Sequence, residues 1–153
     1  MPYLKIHEKF MLEALKEAGK AYRKDEVPVG AVIVSGNKII GRGHNQPIGL
    51  CSPTAHAEII ALNRASGKIH NYRLNGTTMY VTVEPCPMCA GALVNARVKE
   101  VIFGCYDGKS GACGSAMNIA NNRRLNHRVK VAGGILEKPC MDLMQRFFGK
   151  KRN

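Results

Sequence analysis

The sequence predicts an α/β fold of three layers, helix–sheet–helix, around a mixed five-stranded sheet. Three observations carry that expectation. The N-terminal stretch spaces its apolar residues as a helix does, two extended segments flank the turn residues Ser35-Gly36-Asn37, and the remainder alternates β-rich runs with helix formers. A hairpin followed by strand–helix alternation points to a mixed sheet covered by helices on both faces.

Taken in order, Leu4, Met11, Leu15, Ala18 and Tyr22 recur at three-, four- and sevenfold spacing, which predicts an amphipathic helix over 4–24. The β-rich run 27–34 and the extended run 38–43 form the hairpin around Ser35-Gly36-Asn37. A Gly/Pro/Asn-containing loop spans 45–53; Thr54 then suits a helix N-cap, and 55–64 is rich in helix formers. Beyond it the pattern predicts a strand over 77–83, a small-residue helix over 86–96 and a strand over 98–103. A Gly-rich loop over 107–115, a short strand over 128–131 and a helix over 136–148 complete the chain, leaving 149–153 as a basic tail. No internal repeat or linker interrupts this order, so 1–153 reads as a single domain, long enough to bury a core without staples.

Composition narrows the class. An apolar content of 45% is ordinary for a globular protein. No apolar run approaches the roughly 18 residues needed to span a bilayer. The charged, helix-periodic N-terminus lacks the apolar core of a secretory signal, which makes the cytoplasm the expected location. Without an export signal, six cysteines favour metal binding and reduced thiols over a disulfide framework. Net charge is +12 and uneven: residues 1–100 hold 13 Lys/Arg against 8 Asp/Glu, and residues 101–153 hold 10 against 3. That excess fits a polyanionic partner, although a merely solvated basic surface has the same composition.

Two short motifs carry chemistry. His56-Ala57-Glu58 and Pro85-Cys86-Pro87-Met88-Cys89 together offer three nitrogen or sulfur ligands, His56, Cys86 and Cys89, suited to one Zn2+. A structural zinc site is normally closed by four protein ligands, whereas a catalytic one keeps a position for water. Glu58 is then a spare carboxylate beside that position. Both motifs fall at helix starts, where the positive end of the helix dipole favours thiolates. A lone C-x-x-C also occurs in redox pairs and zinc knuckles, but His44, His70 and His127 stand at no spacing that would complete a knuckle. Gly108-Lys109-Ser110 is not a phosphate loop, because the glycine required five residues before Gly108 is Phe103.

H-x-E followed by P-C-x-x-C is the signature of the zinc nucleobase deaminases, a group that includes the tRNA adenosine deaminases. Flanking strings extend the likeness: Val29-Gly30-Ala31-Val32, Gly43-His44-Asn45-Gln46-Pro47-Ile48-Gly49, Asn71-Tyr72-Arg73-Leu74, Tyr80-Val81-Thr82-Val83-Glu84 and Asn126-His127-Arg128-Val129. Over nearly its whole length the sequence resembles the bacterial wobble-position tRNA adenosine deaminase family. The resemblance implies a cytidine deaminase-like fold and a hydrolase that converts adenosine to inosine at the wobble position of an anticodon. It further implies one Zn2+ per subunit held by His56, Cys86 and Cys89, with Glu58 as general base and then acid.

As partners it implies a tRNA, through its anticodon stem-loop and with arginine tRNA as the first candidate, and a second copy of the chain in a homodimer. Helix 86–96 and Asn71-Tyr72-Arg73 are the interface elements by the same resemblance. Asn45, whose plain reading is turn formation, becomes a base-edge or ribose contact, and the Ala57 backbone N–H a further donor to substrate. Asp107 and Lys109 lie in the loop that covers the flanking nucleotides, with Asp107 able to accept a 2′-hydroxyl. Arg146, Phe147 and Phe148, followed by Lys150, Lys151 and Arg152, combine base-stacking rings with phosphate-binding cations, although one or both rings could instead close the core. Two other readings stay open from the residues alone: a free guanine, cytosine or dCMP deaminase of the same superfamily, and a structural zinc module that binds RNA without turnover.

Overall fold

The computed structural model describes residues 2–152. Its elements are α1 (Pro2–Arg23), β1 (Gly30–Ser35), β2 (Lys38–His44), α2 (Ala57–Ile69), β3 (Thr78–Val83), α3 (Pro87–Asn95), β4 (Glu100–Cys105), β5 (Lys130–Ala132) and α4 (Glu137–Arg152). The strands form one sheet in the order β2-β1-β3-β4-β5. β1 runs antiparallel to both β2 and β3, while β3, β4 and β5 are parallel, so the expected mixed five-stranded sheet is present.

Register assigns the faces. Ala31, Gly43, Val81 and Phe103 are partners across four strands and share one face; Val32, Tyr80 and Ile102 occupy the other. α2 lies on the first face so closely that a Cβ on Gly43 would stand 2.5 Å from the Ala57 carbonyl oxygen. Only glycine permits this contact, which seats the start of α2 against the end of β2. α1 covers the second face, where Phe10 packs on Tyr80 with ring centroids 5.3 Å apart. α4 joins α1 there, its Cys140 filling the space over Gly104. Phe103, Ile33, Leu93 and Met79 are fully buried between the layers. Each such side chain contributes roughly 1.5–3 kcal/mol of burial free energy.

The buried stripe of α1 differs from the one its apolar period predicts. Phe10, Met11, Ala14, Ala18 and Ala21 are buried, but Leu4 is 45% exposed. The inward position near the helix start belongs to His7, whose Nδ1 is 2.7 Å from the Tyr80 hydroxyl. Two further boundaries move for identifiable reasons. Thr54 does not cap α2: its hydroxyl is engaged with Ser52, the chain keeps turning through His56, and the helix starts at Ala57. Residues 149–152 are not a tail but the last turn of α4. Lys150 lies over the Tyr22 ring at 4.6 Å, and Lys151 pairs with Asp25, so the expected free cations pack back onto the end of α1. Met1 and Asn153 lie outside the described residues.

Because β2 is antiparallel to β1 and β1 to β3, the C-terminal ends of β2, β3 and β4 meet at one edge of the sheet. The loops leaving them are 45–56, 84–86 and 106–115. Open α/β sheets gather their ligand sites at this edge.

Candidate active site

α2 and α3 begin side by side at that edge, and each is capped by a residue of unusual type. His56 is the N-cap of α2 (φ −76°, ψ 154°) and Cys86 that of α3 (φ −74°, ψ 174°). Neither is the Ser, Thr, Asp or Asn that usually caps a helix. Their backbones still perform the capping, with the His56 carbonyl accepting Ile60 N–H and the Cys86 carbonyl accepting Ala90 N–H. Both side chains are thereby free to face each other. Pro87 at the first helical position fixes the entry to α3, and Cys89, three residues after Cys86, returns to the same side.

The three predicted ligand atoms converge. His56 Nδ1 is 3.6 Å from Cys86 Sγ and 3.6 Å from Cys89 Sγ, and all three atoms lie within 4.8 Å of one another, a grouping that could hold a metal ion. Among the described residues it is the one such group of three or more His, Cys, Asp or Glu side chains. The two sulfurs differ. The Cys89 thiol donates to Cys86, and with the Cys89 and Met88 amides at the helix start it lowers the Cys86 thiol to about 5. The same hydrogen bond, with burial, drives Cys89 in the opposite direction.

Glu58, in the first turn of α2, is 4% exposed. Burial pushes its carboxyl up to about 7, with the Cys86 charge acting in the same sense, against its own backbone amide, His56 and Cys89.

Asn45 is buried in the loop leaving β2, and its Oδ1 accepts the Ala57 N–H at 2.7 Å. The Ala57 donor expected to meet substrate is therefore engaged by Asn45, and this bond ties the loop to the first turn of α2. Asp107 likewise turns inward on its own loop: its Oδ1 accepts the Lys109 and Ser110 amides at 3.0 and 3.1 Å. Lys109 is exposed.

A groove of about 730 Å³ runs between loop 106–110 and α4, with Val27, Val83, Met144 and Phe148 among its walls. Phe148 is 40% exposed there. Phe147 is 4% exposed and sits edge-on to Tyr22, so it closes the α1–α4 contact and presents no face for a base. Arg146 is exposed on α4.

Two buried carboxylates organise the bordering loops, and neither was singled out from the sequence. Glu26 accepts the Ile48 and Gly49 amides of loop 45–56 at 3.2 and 2.8 Å. Glu84, 3% exposed at the end of β3, accepts the amides of Asp107, Cys113 and Ser115, each at 3.1 Å, and the Ser115 hydroxyl. The sequence signal for Glu84 is a lone acid between an apolar strand and Pro85-Cys86. Buried carboxylates are rarely left unpaired.

Comparison with known proteins agrees with this geometry. Residues 5–152 match the family model of MafB19-like deaminases. The chain is 46% identical over 145 residues to the tRNA-specific adenosine deaminase of Bacillus subtilis (strain 168), covering 95% of this chain and 90% of that protein. It is 47% identical over 146 residues to that of Haemophilus influenzae, covering 95% and 84%. Among solved structures, one from a study of A-to-I editing by tRNA:A34 deaminases at the wobble position superimposes with a TM-score of 0.85 at 38% identity, covering 88% of this chain and 98% of that one. A guanine deaminase from Nitrosomonas europaea shares the fold, with a TM-score of 0.81 at 20% identity. The chain belongs to the tRNA-specific adenosine deaminases, within the MafB19-like deaminase family.

Proposed function

We propose that this protein is a zinc-dependent hydrolase that deaminates adenosine to inosine at the wobble position of a tRNA anticodon. The observation that carries the reading is a buried carboxylate, Glu58, next to three convergent ligand atoms in a chain 46% identical to tRNA-specific adenosine deaminases.

The donor set fits Zn2+. At ordinary Zn–N and Zn–S lengths, tetrahedral coordination separates nitrogen from sulfur by about 3.5 Å, and the His56 Nδ1 to Sγ distances are both 3.6 Å. His56, Cys86 and Cys89 would hold the ion, which would lower the pKa of a bound water and so supply the nucleophile. Glu58 then handles the protons. Its carboxylate takes one proton from the attacking water and passes it to the ring nitrogen beside C6, then takes the second from the new C6 hydroxyl and gives it to the departing amine as the C6–N bond breaks and the carbonyl forms, so that water enters and ammonia leaves. Asn45 fixes the α2 start through Oδ1 and keeps its amide NH2 for the substrate. Asp107, Lys109, Arg146 and Phe148 border the path of the flanking nucleotides, with Lys109 and Arg146 contacting phosphate and Phe148 offering a stacking face.

An anticodon loop suits this site because its bases are already splayed, which makes flipping the target inexpensive. The first candidate is an arginine tRNA. A homodimer is proposed through the α2–α3 face, where a shallow hollow lies beside Tyr72, 70% exposed. The cytoplasm is the proposed location, and no helix among the described residues is long and apolar enough to cross a membrane.

The test is incubation of the zinc-loaded protein with an adenosine-34 arginine tRNA, and separately with free cytidine and guanine. Inosine at the wobble position alone is expected. Deamination of a free base alone would overturn the reading in favour of a nucleobase deaminase, and zinc-dependent RNA binding without product would favour a structural module.

A further inference from the structure

From the geometry we infer that Glu84 is a positioning residue that sets RNA recognition by hanging loop 106–115 from the strand end that carries Cys86; this rests on the RNA-deaminase reading above.

Its carboxylate makes four contacts, and they bracket the loop. Oε1 accepts the Asp107 N–H at the loop's entrance and the Ser115 hydroxyl at its exit; Oε2 accepts the Cys113 and Ser115 amides. Both oxygens are thus saturated by donors from the two ends of one segment. The next residue reinforces the attachment, since the Pro85 carbonyl accepts Ala112 N–H at 2.8 Å. The backbone of Glu84 also continues the β3–β4 ladder, donating to the Cys105 carbonyl at 2.9 Å. Cys86 follows two residues after Glu84.

Three consecutive residues therefore serve the loop, the loop and the metal group in turn. Any shift of Asp107 or Lys109 relative to Cys86 must break bonds to a buried carboxylate, and a buried acceptor left without its donors is costly. Glycine at 111 is part of the same arrangement. A Cβ there would stand 2.4 Å from the Glu84 carboxyl carbon and 2.4 Å from the Asp107 carbonyl oxygen. Gly111 is the vacancy in which the carboxylate lies.

The distance from Glu84 to chemistry is equally informative. No hydrogen bond from its carboxylate reaches His56, Cys86, Cys89 or Glu58 among the described residues; all four go to 107–115. Its function is to keep the exposed rim in register with the buried floor. A substrate that touches only the floor would not sense it, whereas an RNA that touches Asp107 and Lys109 as well would.

Glu84→Gln is the main test. It keeps the shape of the side chain but turns an NH2 towards amide donors that need an acceptor. The expected result is faster hydrogen exchange at the Asp107, Cys113 and Ser115 amides, unchanged zinc content, and a KM for an anticodon stem-loop raised roughly ten- to hundredfold, with kcat within about threefold. Gly111→Ala displaces the same carboxylate without altering it and should reproduce the pattern; Ser115→Ala removes the hydroxyl donor and should give a smaller rise. These two variants keep the inference testable if Glu84→Gln does not fold.

Faster exchange with an unchanged KM would overturn it, because the loop would be free and recognition indifferent. Loss of zinc or a fall confined to kcat would also overturn it, by placing the carboxylate with the metal ligands. Binding of the stem-loop to a Glu58→Ala background separates the two proposals. If wild type makes no inosine in RNA, the functional reading fails, while weaker RNA binding by the Glu84→Gln, Glu58→Ala double variant still supports the anchor, and equal binding overturns it.

Discussion

The floor of the site and its rim are built on opposite terms. On the floor, His56, Glu58, Cys86 and Cys89 occupy the N-caps and first turns of two helices, are half-buried or buried, and take their positions from those helix starts. On the rim, Lys109, Arg146 and Phe148 are exposed and depend on one loop and one helix turn for their placement. The floor tolerates little error because reacting atoms need near-contact alignment. On the proposed reading the rim meets a flexible polyanion, where each cation would add modest, salt-screened attraction. Substitutions on the floor should therefore act abruptly, and those on the rim by degrees.

Glu58→Ala should keep zinc and lose about 10²–10⁴-fold in turnover, the range for removal of a positioned acid–base group. Cys86→Ala should lose both zinc and turnover. Metal analysis beside a single-turnover inosine assay separates the two, and an active Glu58→Ala would refute the proton role.

Adjacent rings give the next contrast. Phe147→Ala removes a buried ring packed on Tyr22 and should destabilise by ~3–5 kcal/mol. Phe148→Ala should leave the melting temperature nearly unchanged and raise KM for the stem-loop by about 1–3 kcal/mol equivalent, the value of a stacked base. Thermal unfolding and steady-state kinetics on the pair would show whether one helix turn is divided between core and rim.

Charge on the rim is worth less. Lys109→Ala should weaken RNA binding by severalfold at low salt and reduce the slope of log K against log salt by about 1. An unchanged slope would remove Lys109 from the phosphate contacts.

The same division explains what the sequence discloses. The floor is legible because its candidate metal-binding side chains are set by local spacing: i and i+3 across the start of α3, and a histidine two residues before an acid at the start of α2. Sheet class was legible for a similar reason, through the hairpin turn and the alternation of elements. What escaped detection is held by tertiary closure. Whether Phe147 or Phe148 faces the core depends on the end of α1 meeting the end of α4, and no local pattern states that Lys150 will lie over Tyr22. Glu26 and Glu84 were missed because their partners are backbone amides 22 to 31 residues away, which have no residue type to recognise. His7 takes an inward position in a helix judged by apolar period, for its partner is a tyrosine hydroxyl on β3.

The smallest expected effect lies behind the floor, at His44, the residue before Asn45. His44 is 6% exposed, and its Nε2 is 3.1 Å from Lys24 Nζ while Nδ1 is 3.5 Å from the Glu17 carboxylate. Burial lowers its pKa below 6.5, and Lys24 and then Lys20 act in the same sense against Glu17; Glu17 and Lys20 lie on α1 and Lys24 immediately follows it. The folded protein therefore resists protonation at a pH where the unfolded chain accepts it. Where the unfolded state binds more protons, stability rises with pH. Stability present at neutral pH should accordingly be lost as pH falls through 6.5 towards the folded value, whereas Glu13, held below its ordinary value by Lys16 and Arg42, and Asp25, held down by Lys151, titrate as carboxylates. His44→Gln cannot take up that proton, so its unfolding free energy should be flatter than that of wild type between pH 7 and pH 5. Parallel curves would mean that the imidazole is not the group responsible. A flattened curve with unchanged zinc content would show that the layer supporting Asn45 titrates independently of the floor it supports.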